Sequence, residues 1–139
     1  MQITPYLNFQ GDCREAFTLY AELFGGRVAE VLTYDQAPPG SEMPGLPPEW
    51  AGKVMHAQLV VGDQTIMASD CPPAMYRAPQ GTFVHLEFPE PGKAEEVFAR
   101  LAEGGIIAMP MAETFWAYAF GMVVDRFGMP WMVSRGRPM

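Results

Sequence analysis

The spacing of apolar and polar residues changes several times along the chain, and each change marks an element. Ile3–Gln10 has the short spacing of a strand and is closed by the turn residues Gly11-Asp12. Ala16, Phe17, Leu19, Tyr20, Leu23 and Phe24 then recur at helical spacing. Asp12 is a candidate N-cap, because its carboxylate can accept an orphan backbone N–H, and Gly25-Gly26 stops the helix. Val28–Tyr34 predicts a second strand. The run Gln36–Glu49 is rich in Pro and Gly and predicts no regular element. Val54–Val61 and Gln64–Ser69 predict two strands joined by Gly62-Asp63, a two-residue joint typical of a tight hairpin. Cys71–Gln80 is a connection broken by prolines.

Beyond that connection the pattern restarts. Thr82–Phe88 predicts a strand. Gly92–Glu103 predicts an amphipathic helix with Ala94, Val97, Phe98 and Leu101 on one face and Gly104-Gly105 as its stop. Ile106–Met111, Ala117–Asp125 and Met129–Ser134 predict strands. Both halves therefore have the order βαβββ, the mark of an internal repeat. Superposing the turn Gly62-Asp63 on Phe127-Gly128 pairs Met67 with Met132 and Ser69 with Ser134. The expected organisation is a single domain over residues 1–139, with one module at 1–70, a connection at 71–80 and a second module at 81–135. The fold class is α+β. Each module alone leaves one sheet face uncovered. Two such sheets side by side, helices outside, make a curved half-barrel with a concave inner face suited to a ligand.

Composition narrows the functions open to such a chain. Its 139 residues are 49% hydrophobic and 18% charged, enough for a packed core and too apolar for disorder. The net charge of −7 excludes a basic stripe for nucleic acid, and an anionic membrane surface would repel it. No apolar run reaches the roughly 18 residues of a membrane span. Met1-Gln2-Ile3-Thr4-Pro5 lacks the basic and apolar parts of a secretory signal, so a cytoplasmic protein is expected. The two cysteines, Cys13 and Cys71, show no CxxC spacing and are expected as ordinary thiols. Eleven methionines suit an adaptable apolar pocket, and equally an ordinary core. There is no GxSxG elbow, no GxxxxGK[ST] phosphate loop and no glycine-rich Rossmann turn for a methyltransferase cofactor.

Polar residues collect where the concave face is expected. If Val61 pairs with Gln64, then Gln58 pairs with Met67 and His56 with Ser69, which puts these four on one face. Ala57, Leu59, Ile66 and Ala68 then face the helix. His85 lies two residues after Phe83 and shares its face. Both histidines of the chain are thus directed at the inner face. One reading makes them acid–base groups or polar anchors, with Glu113 completing a nonclassical catalytic set. The other makes each a satisfied imidazole bonded to a neighbouring Ser, Thr or Gln. Glu113 and Trp116 precede the seventh strand, where Glu113 either accepts a ligand proton or caps a loop. Trp116 either stacks on a planar ligand or plugs the barrel end. Asp125 and Arg126 are expected to shape the Phe127-Gly128 turn. The loop 36–50 is a lid over the cavity, a dimer contact or a mobile segment.

The segments Pro5-Tyr6-Leu7-Asn8-Phe9, Met55-His56-Ala57, Gly62-Asp63 through Asp70, Glu113-Thr114-Phe115-Trp116 and Phe120 through Gly128 resemble the PhnB-like branch of the vicinal oxygen chelate superfamily. That superfamily is also called glyoxalase/bleomycin-resistance/dioxygenase. The resemblance spans essentially the whole chain and implies the doubled βαβββ fold and a homodimer. It also implies four metal-ligand positions, on the first, fourth, fifth and eighth strands, usually His or Glu. Here they fall on Pro5 (Tyr6 if the register slips by one), Met67, Phe83 and Met132. None suits a hard divalent metal, so no metal or other cofactor is expected. The expected function is metal-independent binding, by sequestration, of a small planar or apolar molecule. The expected cavity comprises Leu7, His56, Gln58, Met67, Ser69, Phe83, His85, Trp116, Trp131 and Met132. The alternative is a lyase, isomerase or oxygenase of the superfamily type, with an unorthodox metal or a histidine base.

Overall fold

The computed structural model describes residues 1–138 as eight strands and two α-helices in two units, Met1–Arg77 and a second beginning at Ala78. In the first unit the order is β1 (Tyr6–Phe9), α1 (Cys13–Phe24), β2 (Arg27–Thr33), β3 (Val54–Val61) and β4 (Gln64–Asp70). The strands make one sheet in the order β1-β4-β3-β2, with β1 parallel to β4 and the remaining pairs antiparallel. The second unit repeats this with β5 (Val84–Glu87), α2 (Lys93–Ala102), β6 (Ile106–Ala112), β7 (Ala117–Val124) and β8 (Pro130–Gly136). Its sheet has the order β5-β8-β7-β6, again with one parallel pair, β5 with β8. The duplication read from the sequence is therefore a duplication of topology.

The first strand of each half is shorter than its apolar pattern predicts, because pairing begins only where a partner lies alongside. β1 pairs from Tyr6 opposite Met67, and β5 from Val84 opposite Trp131. Phe83 consequently lies just outside β5. The loop 36–50 is not wholly irregular. Short 3-10 turns at Tyr34–Gln36 and Pro48–Trp50 frame it, and Trp50 is buried edge-on against Tyr34 with ring centroids 6.3 Å apart.

Each helix covers one face of its own sheet. α1 buries Cys13, Ala16, Phe17, Tyr20 and Leu23 with Leu7, Phe9, Ala57, Leu59 and Ala68 of the strands. α2 buries Ala94, Val97, Phe98 and Leu101 with Val123, Trp131 and Val133. The two Gly-Gly stops do the same work in both halves. Gly25 and Gly104 have φ of 70° and 71°, the left-handed cap that costs a side-chain-bearing residue most. A Cβ on the next glycine would stand 2.5 Å from the Val60 carbonyl oxygen at Gly26, and 2.3 Å from that of Val124 at Gly105. Only glycine lets the chain pass so close to the strand.

The start of α1 departs from expectation. Asp12 occupies the N-cap position, but its carboxylate makes no capping bond. Asp70, 1% exposed at the end of β4, takes that role. Its Oδ1 accepts the Gly11 and Cys13 N–H groups, each at 2.9 Å, and its Oδ2 accepts Val54 N–H at 2.9 Å. One buried carboxylate thus ties β1, α1 and β3 together. Asp125 is the matching tie in the second unit. It accepts Phe127 N–H at 2.9 Å, Met129 N–H at 3.0 Å and the Trp131 indole N–H at 2.9 Å. It shapes the turn as its sequence position predicts. No helix among the described residues is long and apolar enough to cross a membrane.

Candidate functional site

Strand alternation decides which side chains each sheet leaves uncovered by its helix. In the first unit the hairpin register is the predicted one, Val61 opposite Gln64 and Gln58 opposite Met67. Across the parallel pair, Tyr6 stands beside Met67 and Asn8 beside Ser69. Tyr6, Asn8, His56, Gln58, Met67 and Ser69 therefore share the face opposite α1. There the Tyr6 hydroxyl lies 3.2 Å from His56 Nδ1, and the two rings stack with centroids 5.8 Å apart. Gln58 Nε2 lies 3.4 Å from His56 Nε2, on the other side of the ring. Ser69 Oγ donates to Asn8 Oδ1 at 3.4 Å. His56 is thus a satisfied imidazole held by tyrosine and glutamine, beside a half-buried thioether, on a face that still reaches solvent.

The second unit has a parallel arrangement with different chemistry. His85 stands beside Met132, and Met122 opposite it on the other side. His85 Nε2 lies 2.6 Å from the hydroxyl of Ser134, which is 3% exposed. Phe120, opposite Ser134, meets Trp116 edge-on at 5.5 Å, and Trp116 meets Phe115 at 4.8 Å. The uncovered face of this sheet is therefore thioether and aromatic carbon around one imidazole–hydroxyl pair.

Several expected placements do not hold. Leu7 alternates with Tyr6 and Trp131 with Met132, so both are buried on the helix side of their sheets, away from the uncovered faces. Trp131 is moreover committed to Asp125. By register the neighbour of Met132 is His85, and Phe83 lies two residues earlier, outside the strand. Likewise Tyr6, and not Pro5, is the neighbour of Met67, although the Pro5 carbonyl accepts the Met67 N–H at 3.0 Å. Glu113 is placed with neither histidine. It pairs with Arg137 at 2.6 Å and is exposed. The cavity expected from the sequence left out Asn8, Phe120 and Met122, and Tyr6 was named only as the alternative to Pro5 on the first strand. Their signal was available in the alternation of β1 and β7.

Titration behaviour is perturbed near the Asp70 tie. Burial, followed by the negative charges of Asp70 and Asp12, pushes the Cys13 thiol up to about 12. Burial likewise pushes Tyr34 up to about 12, with Cys71 and Asp70 adding to it. Asp12 is raised, chiefly by burial. Cys13 is therefore no nucleophile at neutral pH. The backbone N–H groups at the start of α1, where an anionic cofactor group would dock in a nucleotide-binding fold, are already occupied by Asp70. Among the described residues, no three His, Cys, Asp or Glu side chains are grouped closely enough to hold a metal.

Residues 1–134 match the family model described as 3-demethylubiquinone-9 3-methyltransferase. Protein YjdN of Escherichia coli is 30% identical over 96% of this chain and 95% of its own length. The crystal structure of PA1353 from Pseudomonas aeruginosa is 43% identical, with a TM-score of 0.87 and 99% of both chains covered. The PhnB protein of Bacillus cereus is 25% identical, with a TM-score of 0.79, over 98% of this chain and 100% of that one. The fosfomycin resistance protein FosX of Listeria monocytogenes shares the fold alone, with a TM-score of 0.64 at 9% identity over 99% of this chain and 93% of that one. Two four-stranded mixed sheets, each carrying one helix, are the α+β fold of the glyoxalase/bleomycin-resistance type. The chain belongs to the family of that model, the PhnB-like family.

Proposed function

We propose that this PhnB-like protein binds a small, partly planar organic molecule without a metal, on the uncovered face of the first sheet. The observation that carries the reading is the Tyr6–His56–Gln58 cluster. An imidazole held on both ring nitrogens is fixed in orientation, and its tyrosine and glutamine partners keep further hydrogen-bonding capacity. Met67 beside it supplies a polarizable apolar surface. Such a mixture of a few fixed polar groups and soft apolar surface is what small-molecule recognition uses. In the second unit, His85, Ser134, Met132 and Phe120 offer a similar mixture. The inherited methyltransferase description finds no support in the chain. The helix start that would receive a cofactor's anionic group is filled by Asp70.

Chelator-treated protein labelled with nitrogen-15 and with carbon-13 in its methionine methyls, titrated with planar heteroaromatic fragments, tests the reading. Saturable shifts centred on Tyr6, His56, Gln58 and Met67, weakened by Gln58→Ala, are expected. Fragments that bind only after a divalent metal is added back would overturn it.

The same reading extends to a homodimer. The edge strand β6 carries no charged residue, and its Ile106, Ile107 and Met109 are 70%, 50% and 46% exposed. Pro110 and two irregularities blunt its backbone edge, but the exposed apolar side chains favour self-association by packing. Light scattering on a sizing column should give twice the chain mass for the native protein and a monomer for Ile107→Lys. A native monomer would refute the homodimer.

A further inference from the structure

A depression of about 250 Å³ opens in the first unit between the loop 36–50 and the start of β3. Met55 lines it, at the irregularity of β3 where pairing steps from His56 to Val54, and none of Tyr6, Asn8, His56, Gln58, Met67 or Ser69 does. This space therefore shares no lining residue with the face assigned above. Its walls are largely apolar, from Tyr34, Met43, Leu46 and Met55. Two carboxylate residues, Asp35 and Glu42, stand among them, and no Lys or Arg does. The nearest cation in sequence, Lys53, is drawn elsewhere, its ammonium donating to the Gly11 carbonyl at 3.0 Å.

The carboxylates are positioned as well as present. One Asp35 oxygen accepts the Thr33 hydroxyl, and one Glu42 oxygen accepts the Gly40 N–H at 2.8 Å. These bonds hold each group by one oxygen and leave the second for a guest. Tyr34 is also fixed, because its hydroxyl donates to the Asp70 carbonyl at 2.6 Å and Trp50 packs edge-on against it. Two thioethers and a phenol ring are polarizable surfaces of the kind that suit the methyl or methylene groups around a cationic nitrogen. The space is smaller than the roughly 300–1,000 Å³ of pockets for drug-sized molecules, so the guest is small. The net charge of −7 favours approach of a cation from a distance.

We propose that this depression binds a small ammonium ion with a short hydrocarbon or N-methyl shell, held by Asp35 and Glu42 against Met43, Met55 and Tyr34. The site shares no residue with the Tyr6–His56–Gln58 cluster, and its ligand is of different character, a compact cation and not a planar molecule.

Choline and its neutral carbon isostere, 3,3-dimethylbutan-1-ol, separate charge from shape. The intact chain, labelled with carbon-13 in its methionine methyls, would be titrated with each. Choline should shift the Met43 and Met55 methyl signals saturably and leave Met67 still. Binding should be about tenfold weaker for the alcohol, and about tenfold weaker for choline in Glu42→Gln. Glu42 is exposed, so that variant keeps its fold, and unchanged methyl spectra without ligand would verify it. Asp35→Asn should act in the same direction. Equal affinity for choline and the alcohol, shifts centred on Met67, or no Met43 and Met55 shifts at millimolar choline would each overturn the proposal. Shifts centred on Met67 would instead put choline on the Tyr6–His56–Gln58 face, and the other outcomes leave the reading of that face unchanged.

Discussion

Removing the Asp70 carboxylate should damage the fold in a graded and calculable way. The side chain accepts three backbone N–H groups, and those of Cys13 and Val54 are buried while that of Gly11 is half-buried. In Asp70→Ala the two buried donors lose their acceptor. An unsatisfied buried donor costs roughly 1–3 kcal/mol, so the pair costs about 4 kcal/mol, with a smaller share for Gly11. Asp70→Asn retains one oxygen for Gly11 and Cys13 but turns its NH2 group on the Val54 N–H. It should therefore cost about 2 kcal/mol, one lost bond and one donor facing a donor. Urea unfolding followed by circular dichroism measures both, provided the slope with denaturant stays constant across the variants. Hydrogen exchange at the Cys13 and Val54 amides should accelerate locally, most at Val54 in the asparagine variant. Equal losses for the two variants, or a loss under about 1 kcal/mol for the alanine variant, would refute the role given to Asp70.

Three further outcomes follow from named contacts. The Cys13 thiol is raised from 9.0 to about 12 on folding, so the unfolded chain ionises first. The Cys13 contribution to stability should be constant below pH 9 and fall as pH rises toward 12, by up to about 1.4 kcal/mol per pH unit, with Tyr34 adding to the fall above pH 10, and Cys13→Ala should make the slope shallower in urea midpoints measured against pH. A Cβ at Gly121 would lie 2.7 Å from the Phe98 ring, so Gly121→Ala should cost about 1–3 kcal/mol in thermal unfolding and be partly rescued by Phe98→Leu. Tyr6→Phe removes the hydroxyl at His56 Nδ1 on a half-exposed strand, so the fold should persist while the nitrogen-15 shifts of the His56 ring change and fragment affinity falls about fivefold, a loss near 1 kcal/mol.

What the sequence could and could not convey follows from how local each signal is. The hairpin register was legible because the two-residue turn at Gly62-Asp63 leaves only one pairing that keeps Ala57, Leu59 and Ala68 together under the helix. The repeat was legible because the strand and helix spacings recur in the same order in both halves, and the turn Gly62-Asp63 superposes on Phe127-Gly128. The misplacement of Leu7 and Trp131 was avoidable. A residue next to Tyr6 or Met132 in a strand must face the other way. The capping of α1 was not legible, since Asp70 lies 57 residues from Cys13 and Asp12 satisfies every local rule for the position. Nor was the pairing of Glu113 with Arg137, which depends on where the chain leaves β8.

Native mass spectrometry of the protein purified from its own host, before and after treatment with EDTA, tests the metal-free binding reading most directly. One organic molecule per chain should remain bound through the chelator, and it should be lost when His56 and Gln58 are both replaced by Ala. A divalent ion bound one to a chain, stripped by EDTA together with the organic guest, would contradict it.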